Sequence, residues 1–214
     1  MKVALTIDAE HPDWPSKDPL GNASRQLDLL GEFGVAASFF VEGYWARTYP
    51  DMVRRIAGDG HLIGSHSQAH CVYSRLHHDG IVRDLADSRA SLETAGADPR
   101  HWFRLPSGEG GTDPEVMAAV SESGFRNVGW TVICGDWEEG CTAQRVVDLV
   151  LRDVEGRRPD GVSVPMIHSW PDPTPYALEE ILRRLTGSVE FVRLDDLACD
   201  DIPSGYGLRD LTSY

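Results

Sequence analysis

Short apolar runs of strand length alternate along the chain with stretches whose apolar residues recur every three or four positions. The runs at 3–7, 36–41, 62–64, 102–104, 127–132, 162–167 and 190–193 predict seven strands. Leu27, Leu30 and Phe33 share one face of a predicted helix over 24–33 that Gly34 closes, and Met52, Val53 and Ile56 mark another over 50–57. Ile81, Val82, Leu85 and Leu92 do the same for 79–94, ending at Gly96. Thr112 or Asp113 caps a helix through Val120, with Pro114 in its first turn. Thr142 opens a helix reaching Gly156, and Thr174 caps the last one, whose Leu178, Ile181, Leu182 and Leu185 point inward. Strands and helices taking turns from end to end predict an α/β fold with a parallel sheet or barrel.

Composition narrows the class. The 214 residues suit one domain, with 41% hydrophobic and 25% charged residues as in globular proteins. The net charge of −14 repels phosphate backbones and anionic lipid, so neither nucleic acid nor membrane is expected as a partner. Cys71, Cys134, Cys141 and Cys199 form no CxxC pair and predict no disulfide framework. The first residues lack a signal-peptide core, and the expected location is the cytoplasm. Residues 10–21, with three prolines and Trp14, read as a structured loop. From residue 200 the chain turns Gly- and Asp-rich, giving a domain over 1–199 and a tail or lid over 200–214.

Five clusters of chemically able residues fall at the ends of predicted strands, where barrel enzymes gather their ligands and acids. His66 and His70 are four apart, so a helical turn would bring both imidazoles to one metal. Asp8 and Glu10, two apart, lie on one side of an extended chain; a solvated loop with a capping acid is the other reading. Arg104 ends the 102–104 run, where it could hold a carboxylate bidentately and keep it ionised. Asp136 and Trp137 lie beyond another strand. His168 ends an apolar run, a place where a histidine is either a hydrogen-bonded core residue or a catalyst.

The order of these clusters resembles the polysaccharide deacetylase family, also called the NodB homology domain or carbohydrate esterase family 4. Thr6-Ile7-Asp8-Ala9 is similar to its T-F-D-D, and His66-Ser67-Gln68-Ala69-His70 to its H-S/T-x-x-H. Arg104-Leu105-Pro106-Ser107-Gly108 resembles R-P-P-Y-G, residues 130–137 resemble W-S-x-D-x-x-D-W, and Met166-Ile167-His168-Ser169 resembles L-x-L-H-D. The likeness spans about residues 2–195. It implies an irregular (β/α)7-type barrel and a hydrolase with one divalent metal, Zn2+ or else Co2+, Ni2+ or Mn2+. It further implies Asp8 as general base, Arg104 as its charge partner, His66 and His70 as metal ligands and His168 as general acid. Asp136, Trp137 and Trp14 would shape the substrate pocket.

Three positions depart from the family pattern. Ala9 replaces the second aspartate, the usual third ligand, and Glu10 is the natural substitute, with His11 or Asp8 as other donors. Ile133 stands where an aspartate would tune the acid histidine, so His168 needs another partner. Ser169 replaces the last acid. The expected activity is cleavage of an N-acetyl or similar amide of a small, sugar-like or biosynthetic molecule. A cyclic amide or imide hydrolase, or a non-catalytic binding module on the same scaffold, are the alternatives. Oligomeric state is not legible.

Overall fold

The computed structural model describes residues 1–12 and 15–204. Its strands are β1 (Lys2–Val3), β2 (Thr6–Ala9), β3 (Ser38–Val41), β4 (Leu62–Ser65), β5 (Trp102–Phe103), β6 (Arg126–Asn127), β7 (Val132–Ile133), β8 (Val162–Ser163), β9 (Pro165–His168) and β10 (Glu190–Phe191). The helices are α1 (Pro19–Phe33), α2 (Gly43–Thr48), α3 (Pro50–Gly58), α4 (His78–Ala95), α5 (Pro114–Glu122), α6 (Ala143–Glu155) and α7 (Thr174–Leu185). Seven strands form one parallel sheet in the order β6-β5-β4-β3-β2-β9-β7, curled into a half-barrel with helices packed outside. The expected seven-stranded (β/α) barrel is thus the observed architecture. A smaller parallel sheet, β10-β1-β8, lies below it.

Three of the predicted strands are each two strands. The runs 3–7, 127–132 and 162–167 divide into β1 and β2, β6 and β7, and β8 and β9. For the first run the cause is a change of partner. Lys2 and Val3 pair with β8 and β10, whereas Thr6–Ala9 pairs with β3 and β9. The apolar pattern continues through Ala4 and Leu5, so it carries no trace of the switch. Helix α1 starts at Pro19 rather than 24 because the Asp18 side chain accepts from the Gly21 amide and Pro19 presets the first turn. The six-residue α2 is too short to show a period. Asp113 is the cap of α5, and Thr142 of α6, as the sequence implies. Thr174, by contrast, lies within α7, with Pro173 at the cap position, and spends its hydroxyl on Asp136.

Strand alternation sorts the side chains. Leu5, Ile7 and Ala9 point outward into the core under the helices, with Leu30, Val146 and Ile181. Ala4, Phe40, Leu62, Trp102, Val128 and Val164 form the inner core. Gly64 belongs to that inward series, and a Cβ there would stand 2.9 Å from both Phe40 and Trp102, so the barrel interior closes on its missing side chain. Counting upward by twos from these inner positions reaches Asp8 and Glu10, His66, Arg104, Trp130 and His168. The site is the upper layer of the barrel core.

Residues 200–204 pack against the barrel: Ile202 is buried in the inner core and the Gly129 amide donates to the Pro203 carbonyl at 2.8 Å. The remainder of the expected tail or lid, 205–214, lies outside the described residues. No described helix is long and apolar enough to cross a membrane.

Candidate active site

β2 delivers two acids to the mouth of the barrel. Asp8 is its third residue and Glu10 follows its end; both carboxylates are buried, whereas Ala9 between them faces the helices. The side chain at position 9 therefore lies on the wrong side of the strand to reach the site.

The histidines arrive on the turn after β4. The segment is not helical, contrary to the simplest route from the spacing; Ser67 and His70 take left-handed φ values of 65° and 49°. The turn is pinned from outside. The amides of Gly43 and Tyr44 donate to the carbonyls of Ser67 and Gln68, both at 2.9 Å, and Asp84 accepts from the Gln68 amide. A Cβ at Gly43 would fall 2.1 Å from the Gln68 side-chain oxygen, so a larger residue there would displace the Gln68 side chain. The two rings meet edge to face with centroids 5.1 Å apart.

Glu10, His66 and His70 form the one cluster among the described residues whose ligand atoms all lie within 4.8 Å of one another. Glu10 Oε2 is 3.1 Å from the Nε2 of His66 and 3.1 Å from that of His70. Neither approach has hydrogen-bond geometry, and Oε2 is buried without a partner. His66 Nδ1 lies 2.9 Å from the Arg104 carbonyl, to which it donates, so the Nε2 lone pair faces Glu10. An orphaned carboxylate oxygen among two imidazoles is the donor set of a borderline divalent cation. Such an ion fits Glu10, His66 and His70. His11 is not part of this set. Its amide and Nδ1 both engage Glu42, at 3.0 and 2.8 Å.

Asp8 faces the same space, with Oδ2 3.8 Å from His66 Nε2. Its Oδ1 accepts from Arg104 Nη1 at 2.7 Å. The contact is single, not the bidentate fork expected from sequence. The other guanidinium nitrogens donate to the carbonyls of Val128 at 3.2 Å and Gly129 at 3.0 Å. The Arg104 side chain is fully buried, lying over Phe40 at 4.2 Å.

His168 finds its partner in Asp136. Oδ1 of that carboxylate is 2.8 Å from Nδ1, and Oδ2 accepts from the His168 amide and from Thr174 Oγ1. Asp136, expected to shape the pocket, lines the hollow beside Trp137 and also turns its carboxylate onto the histidine; Gly135 at φ 59° makes the tight bend that carries it there. Burial disfavours the imidazolium, yet Asp136, with Glu10 and Asp8 beyond it, raises His168 to about 9. Ile133 takes no polar role and lines the cavity wall.

A cavity of about 200 Å³ opens onto Asp8, Glu10, His66, His70 and His168, between apolar walls of Leu105, Ile133 and Met166. Trp137 stands on its rim, 4.7 Å from the His168 ring, and Trp14 lies outside the described residues. A second hollow of about 520 Å³ shares Trp137 and Trp170 with the first. Trp170, not singled out by sequence, donates its indole N–H to Glu10 Oε1 at 3.3 Å. Its place two residues after His168, just past the end of β9, was the available signal.

Comparison with known proteins agrees with this geometry. Residues 1–128 match the polysaccharide deacetylase family. A peptidoglycan-N-acetylglucosamine deacetylase of Bacillus cereus is 30% identical over 201 residues, covering 92% of this chain and 68% of the relative. A chitooligosaccharide deacetylase of Rhizobium leguminosarum bv. trifolii is 30% identical over 58% of this chain and 57% of its own length. A family 4 acetyl xylan esterase from Clostridium thermocellum, solved with a cobalt ion, superimposes with a TM-score of 0.76 at 31% identity, over 92% of this chain and 89% of that one. The chain spans from about half to two thirds of the length of several curated relatives that it matches. With its motifs held at one barrel mouth and its first 128 residues matching, the chain belongs to the polysaccharide deacetylase family.

Proposed function

We propose that the protein is a metal-dependent amide hydrolase that removes an N-acetyl or similar N-acyl group from a small, sugar-like substrate. One observation carries the reading: the partnerless Glu10 Oε2, 3.1 Å from two imidazole nitrogens inside a cavity that also holds Asp8 and His168. The deacetylase relatives support the acyl group and the sugar class. Glu10, His66 and His70 would hold the ion, zinc or a cation of similar preference, which when bound supplies Lewis-acid polarisation of the scissile carbonyl and acidifies a water.

The remaining work falls to the chain. Asp8, its Oδ1 occupied by Arg104, presents Oδ2 to the cavity and accepts the proton of the attacking water. His168 keeps its Nδ1 proton on Asp136 and turns Nε2 toward Glu10 Oε1, 3.7 Å away. From Nε2 it gives a proton to the departing nitrogen, a step that amides require because an amide anion is a poor leaving group. Water and amide thus become carboxylic acid and amine. The apolar wall of Leu105, Ile133 and Met166 suits the acyl carbon chain, and the cavity of about 200 Å³ receives the acylamino unit that reacts.

The Asp8-x-Glu10 spacing also resembles branches of the family that open cyclic amides or imides, which is the second reading. Elemental analysis of the purified protein, followed by assay of N-acetylated sugars and cyclic amides with and without a chelator, tests both. One equivalent of metal and chelator-sensitive deacetylation are expected. A protein that binds such sugars without metal and without turnover would instead be a binding module.

A further inference from the structure

The glutamate of the candidate metal cluster does not stand alone: its second oxygen is held by an indole. We infer that Trp170 is a positioning residue for metal binding, fixing Glu10 so that Oε2 alone is presented to His66 and His70. The inference rests on the reading of Glu10, His66 and His70 as a metal site.

A glutamate has three side-chain torsions, and free rotation would spread its carboxylate over many positions. Ordering it on metal binding costs free energy unless it is ordered beforehand. Trp170 Nε1 donates to Oε1 at 3.3 Å, and Oε2 of the same group is left buried and without a hydrogen bond. One oxygen is anchored, the other kept open. The indole suits this task. It donates without accepting, carries no charge and cannot itself ligate a cation or compete for protons near neutral pH.

The mount of the indole is itself rigid. Trp170 is buried, 3% exposed, and its carbonyl accepts from Ser16 Oγ at 2.8 Å and Asn22 Nδ2 at 2.9 Å. Just before it, Gln26 Nε2 donates to the carbonyls of His168 and Ser169, and the Ser169 amide continues the sheet onto the Asp8 carbonyl. Polar residues of α1 and the preceding loop thereby fix residues 168–170 as a unit. The general-acid candidate and the indole that steadies the acidic ligand ride on the same short segment.

The test is a zinc competition titration of the full chain against a chromophoric chelator, for wild type, Trp170→Phe, Glu10→Ala and the double variant, with thermal unfolding of each metal-free form. Trp170→Phe keeps an aromatic ring and removes the N–H. It is expected to weaken zinc binding about 10-fold or more, the range seen when outer-shell partners of metal ligands are removed. In the Glu10→Ala background the same change is expected to do nothing further. A second check uses protein labelled with 15N-tryptophan: the Trp170 indole N–H resonance is expected to shift between wild type and Glu10→Gln and, in wild type, upon zinc addition. Wild-type affinity in Trp170→Phe, or an indole resonance indifferent to Glu10→Gln, would overturn the inference while leaving the metal site intact. Glu10→Ala binding zinc as tightly as wild type would instead remove the metal site and the inference with it.

Discussion

Arg104 Nη1 donates to Asp8 Oδ1 across 2.7 Å, with both side chains sealed from solvent. Removing the cation by Arg104→Met leaves the buried carboxylate unpaired, so a loss of about 3–5 kcal/mol is expected in urea unfolding. Arg104→Lys is expected to recover little of it, because an ammonium on a thinner stem cannot also serve the carbonyls of Val128 and Gly129.

Ala9 offers a sharper contrast with family pattern. Restoring an aspartate there should not rebuild a ligand, because the position 9 side chain enters the core among Leu27, Leu30 and Ile181. Ala9→Asp is expected to destabilise by several kcal/mol and to leave zinc affinity of Glu10→Ala unrescued. Rescue of metal binding in that double variant would contradict the strand register described above.

Asp136 orients His168 through three accepted hydrogen bonds, two of them from the histidine itself. Asp136→Asn is expected to lower kcat about 100-fold or more while bound zinc and KM stay near wild type. His168→Ala should likewise keep its metal and lose turnover, and His66→Ala should lose both. Elemental analysis beside steady-state assays separates the two classes.

A pH effect on stability is expected far from the site. Burial alone would raise Asp153, but Arg157, Ser163 and Thr131 all donate to its carboxylate and hold it below the usual range. A group with a depressed native value stabilises above its unfolded value, about 3.9, and loses that contribution as pH falls through the native one. Asp153→Asn should therefore cost most near neutrality, and the gap to wild type should narrow below about pH 4 in urea titrations. A gap independent of pH would contradict this assignment.

The residues that line the barrel mouth were legible because they obey a period of two from strands whose apolar cores are plain in the sequence: Asp8, His66, Arg104 and His168 each end such a run. Two things were not legible. The apolar residues of 3–9 look alike whether they serve one sheet or two, so the handover between β1 and β2 left no mark. Likewise, motif spacing assigned the tuning position to Ile133, because the bend at Gly135 that swings Asp136 onto His168 is a property of backbone torsion, not of residue count. Trp170 escaped for a related reason, since an indole reads as packing until its N–H is seen to meet a carboxylate.

The guanidinium of Arg104 also spans a gap. β6 and β7 are the two margins of the curled sheet, no ladder joins them among the described residues, and the carbonyls that Arg104 grips belong to the link between them. One side chain thereby serves as rivet for the scaffold and as companion to the candidate base. A descendant that had abandoned chemistry would still need the rivet, so persistence of this arginine says little about whether a relative turns over substrate.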